Sequence, residues 1–187
     1  MKKEELIKHQ FDGLTAEIYD WECLTPTVFL KESVKADIAE KEMVMAYLRA
    51  SELLYNGLLI DNNPTYHIKV VRSNQICMPF LYVCRHSLEL SIKLRIRFEI
   101  KKTVSGHKLS ELYEKLISDL PELKTNLELS VLVEVLNEID DDGCKLRYSK
   151  DKKDKIYQEK STFIKADRVL ELTKKVCNVL IEPIRNI

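Results

Sequence analysis

The chain is poor in turn residues, with four glycines and five prolines among 187 positions. That scarcity argues against a fold of many short strands and points to long helices. No run approaches the roughly 18 consecutive apolar residues that a spanning helix needs, so no membrane contact is expected. The charged opening Met1-Lys2-Lys3-Glu4-Glu5 is followed by no apolar core, which sets aside a secretory signal and leaves a cytoplasmic location as the expectation. Five cysteines, odd in number, contain no C-x-x-C pair and are expected to be free, mostly buried thiols. No glycine-rich phosphate loop is present, and His9, His67, His86 and His107 lack metal-ligand spacing. No metal and no cofactor are therefore expected. The formal net charge is zero, so no global field favours nucleic acid or a lipid surface.

What is present is an ordinary globular composition, 45% hydrophobic, with a high 32% of charged residues. The expected organisation is an N-terminal arm over 1–32, with a short strand at 13–21, followed by one domain over 33–187 large enough to bury its own core. Charge is locally uneven. Lys93, Arg95, Arg97, Lys101 and Lys102 stand against Glu99 alone in 91–102, and 145–160 holds seven basic residues against three acidic ones. Either patch could meet phosphates, although the plainer account is a solvated face.

Helical spacing predicts a first helix from a Ser33 cap to about Leu59, ended by Asp61-Asn62-Asn63-Pro64, with a connector after it that is extended near 67–71. Thr103 or Ser105 is expected to cap a helix carrying Leu109, Leu112, Leu116 and Ile117, with His107 in its first turn. Past Pro121, a helix over 122–139 is expected to turn Leu127, Val131, Val135 and Leu136 inward. Glu138, Asp140, Asp141 and Asp142 crowd its negative end, against the helix dipole, and read most simply as an exposed acidic loop. Gly143 stops that helix. Residues 144–150 are expected to be extended, with a partner strand that makes a small β-hairpin near 144–164. A last helix over 165–182 presents Val169, Leu172, Val176 and Leu180 and ends at Pro183.

The segment from Met78 to Arg97 is the most apolar long stretch, yet it carries Arg85, His86, Glu89 and Lys93 in its middle. Buried polar groups cost free energy unless they are paired. On a helix opening at Pro79, Arg85, Glu89 and Lys93 would form an i, i+4 ladder of alternating sign. Against a helix, every second residue from Leu88 to Ile100 is apolar, the pattern of a half-buried strand. Thirteen residues exceed the usual strand of roughly 5–6, and on a helix the same residues split into two stripes, as in a central helix packed from two sides. Pattern alone leaves strand slightly ahead.

Three motifs in order bear on the choice: Arg85-His86-Ser87-Leu88-Glu89-Leu90-Ser91-Ile92-Lys93, then Gly106-His107-Lys108-Leu109, then Leu146-Arg147-Tyr148 before a charged loop. Together they resemble bacterial HEPN-type domains, with an R-H-x-x-E-L-x-x-K helix, a G-H-x-L turn and an R-Y element, over about 40–182. The resemblance implies a mainly α fold, an antiparallel helical bundle, usually homodimeric, and it tips the central segment to helix. It also implies engagement of RNA or a nucleotide-type ligand in a toxin–antitoxin or phage-defence setting, with an antitoxin or nucleotidyltransferase as partner.

Many such domains are metal-independent ribonucleases whose arginine precedes a histidine by four to six residues. Histidine can move a proton near neutral pH while arginine stabilises phosphate charge. Here Arg85 and His86 are adjacent, about 100° apart on a helix, and no arginine has the required spacing. A substitute catalytic set would comprise His86, Arg85 and His107, with Glu89, Lys93, Arg147 and Tyr148 binding ligand. The competing account makes Arg85, Glu89 and Lys93 a structural network between elements, with His107 hydrogen-bonded at a helix start and Tyr148 simply packed with an exposed Arg147. Three functions stay open: an RNA- or nucleotide-engaging domain, a ribonuclease, and a non-catalytic oligomeric scaffold.

Overall fold

The computed structural model describes residues 36–61, 74–148 and 164–186. The expected N-terminal arm, the extended stretch at 67–71 and most of the hairpin lie outside these residues. Within them the chain forms α1 (Ala36–Asp61), α2 (Asn74–Ile100), α3 (Leu109–Asp119), α4 (Leu127–Ile139) and α5 (Ala166–Ile181). Short 3-10 turns over Pro121–Thr125 and Glu182–Asn186 follow α3 and α5. The described residues contain no strand, and the fold is mainly α.

The central segment is helix α2, which packs against α1, α3 and α5. Both apolar stripes are used. Leu88, Ile92 and Ile96 are fully buried on one side, while Leu94 is fully buried and Leu90 and Phe98 pack against the core on the other. The alternation that imitates a strand is thus the signature of a helix covered from several directions. Helix α2 opens at Asn74, not at Pro79, which lies within its second turn. Ile76, Cys77 and Met78 pack against the core, and this burial offsets the hydrogen bond that proline removes.

Close approach of α1, α2 and α5 is helped by small polar residues. Ser51, Ser87, Ser91 and Thr173 are all buried, and each hydroxyl donates to a carbonyl of its own helix, at 2.7 Å. These bonds meet the cost of burial, and the Ser51 and Thr173 hydroxyls also meet the Cys84 thiol, and Ser91 the Cys177 thiol, across helix interfaces. Cys84 and Cys177 are also buried, and burial pushes both thiols up to about 12.

Three expected local features differ. The helix after Pro121 is delayed: a 3-10 turn comes first, and Asn126 caps α4 by accepting from the Leu129 backbone N–H at 3.0 Å. Its inward face is Leu129, Leu132, Val133 and Leu136, whereas Leu127 is 76% exposed and Val131 is exposed. Helix α3 begins at Leu109 without a side-chain cap on its first residue. The loop after α4 and α4 itself serve instead, as the Leu109 N–H donates to the Asp141 carbonyl and the Ser110 N–H to Asn137 Oδ1, both at 3.3 Å. Residues 145–147 are a turn, not an extended stretch, closed by the Arg147 and Tyr148 N–H groups donating to the Cys144 carbonyl.

Candidate functional site

The ladder on α2 carries the most buried arginine among the described residues, for the Arg85 side chain is 1% exposed. Its Nε donates to the Asp140 carbonyl at 2.7 Å, Nη1 to Glu89 Oε2 at 2.9 Å, and Nη2 to the carbonyls of His107 and Asp141. One side chain therefore ties α2 both to the loop entering α3 and to the loop leaving α4. A guanidinium suits this position because its planar fork can serve several acceptors at once. Glu89, 2% exposed, answers with both oxygens. Oε1 meets Lys93 Nζ and His107 Nδ1, each at 2.8 Å, and Oε2 holds Arg85. Burial pushes the Glu89 carboxyl up, but Lys93, His107 and Arg85 outweigh it and hold the group below its ordinary value.

The loop that receives Arg85 is built for it. Asp140 is fully buried, and its carboxylate accepts the Lys145 and Leu146 N–H groups at 3.1 and 3.2 Å. Asp142 Oδ1 accepts the Cys144 N–H at 2.9 Å, and Asp141 pairs with Lys145. The acidic run is thus not simply an exposed loop: Glu138 is exposed, but Asp140 is interior. The three carboxylates lie close enough to share a cation, yet each already holds part of the turn. Gly143 adopts φ +79°, and a Cβ there would come within 2.9 Å of Arg85 Nη1. Glycine meets both demands, the left-handed backbone and the close approach.

His86 points elsewhere. It lies half-buried with Tyr47 edge-on at 4.7 Å and Tyr82 stacked on it at 5.5 Å, their planes within 11°. Burial, reinforced by Arg85, Lys93 and Arg147, disfavours the charged imidazolium and lowers its pKa despite Glu89. Beyond Tyr82 comes the Arg147 guanidinium, 5.8 Å from that ring and 5.4 Å from the ring of Tyr148, which is 57% exposed. Arg147 Nε donates to the Gly143 carbonyl, which fixes the plane of the guanidinium.

The seven sequence-selected residues therefore divide. Arg85, Glu89, Lys93 and His107 meet in the buried tie, although the His107 ring itself is largely exposed. His86, Arg147 and Tyr148 belong to a surface column. His107 precedes α3 instead of standing in its first turn, and its carbonyl and ring both face α2. Sequence reasoning missed Tyr47, Tyr82, Asp140, Asp141 and Gly143. Of these only Tyr82, four residues before His86, carried a spacing signal. The first basic patch is largely spent inside the fold: Lys93 pairs with Glu89, Arg95 with Glu99 at 3.2 Å, and Arg97 with Glu40. Lys101 and Lys102 remain exposed. No helix among the described residues is long and apolar enough to cross a membrane. No protein-family model matches the chain, and no curated protein or solved structure matches it significantly.

Proposed function

We propose that the chain is a HEPN-like helical domain that engages RNA without cleaving it. The observation that carries this reading is the column His86–Tyr82–Arg147–Tyr148, in which planar rings and a guanidinium reach the surface together. Flat π-faces beside a fixed cation suit bases and phosphates at once. The ribonuclease alternative needs an arginine and a histidine converging on one phosphate. Arg85 is buried with its donors committed to Glu89 and three carbonyls, while His86 sits among tyrosines on another side of α2. A homodimer, and an antitoxin or nucleotidyltransferase partner in a defence setting, are the further components of this reading.

The test is incubation of purified protein with labelled RNA in the absence of divalent metal, read by gel and by fluorescence anisotropy across a salt series. Intact RNA and an affinity that falls as salt rises are expected. Cleavage abolished by His86→Ala would replace this reading with the enzymatic one, and absence of binding would leave the scaffold. Light scattering on the same sample is expected to give the mass of a dimer.

A further inference from the structure

We infer that the outer face of Tyr148 is a stacking platform for an unpaired base of single-stranded RNA, an inference that rests on the RNA-engaging reading above. The column is ordered from inside to outside. Tyr47 props His86 edge-on, His86 stacks on Tyr82, and Arg147 fills the space between Tyr82 and Tyr148. Tyr47, His86 and Tyr82 are half-buried while Arg147 and Tyr148 are exposed, so the series of planar groups opens to solvent at its Tyr148 end. Arg147 is the cation of the stack, over the rings of both Tyr82 and Tyr148. A site with one fixed charge and several π-faces is matched to a base with its neighbouring phosphate, not to a bare polyanion. Duplex RNA offers no free base face and is read through phosphates and 2′-hydroxyls across a groove, for which a lone projecting tyrosine is ill suited. Tyr148 has no part in the apolar core, so it can be changed without disturbing the helices.

The experiment measures anisotropy with a labelled single strand of about ten nucleotides, the span of one ordinary single-strand site. The same strand annealed to its complement, an abasic strand of equal length and a mononucleotide competitor complete the set. The intact single strand is expected to bind tightest. Tyr148→Ala should weaken it about tenfold, within the range that loss of one stacked base produces, and Tyr148→Trp should restore it. Binding of abasic and intact strands with equal affinity, unmoved by Tyr148→Ala but still weakened by salt, would overturn the stacking platform and leave RNA engagement standing. Loss of all RNA binding in the unaltered protein would overturn both. A mononucleotide binding as tightly as the strand would overturn the assignment to a strand.

Discussion

Two glycines give a matched measurement of what the Arg85 tie demands. Gly143 and Gly106 both have positive φ, +79° and +92°, so alanine at either pays for a left-handed backbone, roughly 1–2 kcal/mol. They differ in surroundings. A Cβ at Gly106 meets nothing within 4 Å, whereas at Gly143 it would lie 2.9 Å from Arg85 Nη1 and 3.3 Å from its Cζ. A guanidinium usually swings aside cheaply, but this one is 1% exposed and fixed by bonds to Glu89 and to the carbonyls of His107, Asp140 and Asp141. Moving it breaks at least one charge-assisted bond and leaves buried acceptors short, about 1–3 kcal/mol more. Gly143→Ala is therefore expected to cost about 2–5 kcal/mol and Gly106→Ala only about 1–2. Urea unfolding of both variants beside the unaltered protein reads the difference, with unchanged m-values as the check on two-state behaviour. Equal losses at the two sites would refute the claim that Arg85 has no room to move.

Three other outcomes follow from the same geometry. Arg85→Leu should destabilise by about 3–5 kcal/mol because it takes the donor from Glu89 Oε2 and from three buried carbonyls, while Arg85→Lys, which keeps a charge beside Glu89 but cannot serve all of these acceptors, should recover only part of that loss in the same urea experiment. Asn126→Ala should cost about 1 kcal/mol through loss of the cap on α4, while Asn126→Asp should be nearly neutral. Stability should fall in two stages with acid. The folded state disfavours protonated His86, so stability is complete above its ordinary value of 6.5 and declines as pH drops below it towards the lowered folded value. Glu89 contributes above its ordinary 4.5 and that contribution is lost as pH falls through its lowered folded value. His86→Phe should remove the first stage in a urea midpoint series; a persisting decline between pH 6.5 and 5 would contradict the assignment.

The existence of the helices was legible because few glycines and prolines interrupt them, and the i, i+4 ladder of Arg85, Glu89 and Lys93 could be read directly. The nature of α2 was not. Burial on both sides makes Leu88 through Ile100 apolar at alternate positions, and alternation has the same appearance in a strand. The inward face of α4 was right at Leu136 and wrong at Leu127 and Val131, because Pro121 drew attention from Asn126 and the apolar excess of 127–136 fits either register. Most partners of Arg85 are backbone carbonyls, which every residue owns and no sequence displays. Of the surface column His86, Arg147 and Tyr148 were legible and the tyrosines beside His86 were not, since the meeting of Tyr47 with His86 depends on how α1 lies along α2.

Arg85 clasps the approach to α3 and the exit from α4 in a single grip, so the hairpin of α3 and α4 cannot peel away from α2 without stripping a buried guanidinium of its three carbonyl partners. An arginine, glutamate and histidine recurring at these distances would then be retained for the sake of folding, whatever happens at the surface. A fingerprint made of such residues identifies a manner of assembly; any chemistry must be sought among the side chains that the clasp leaves outside.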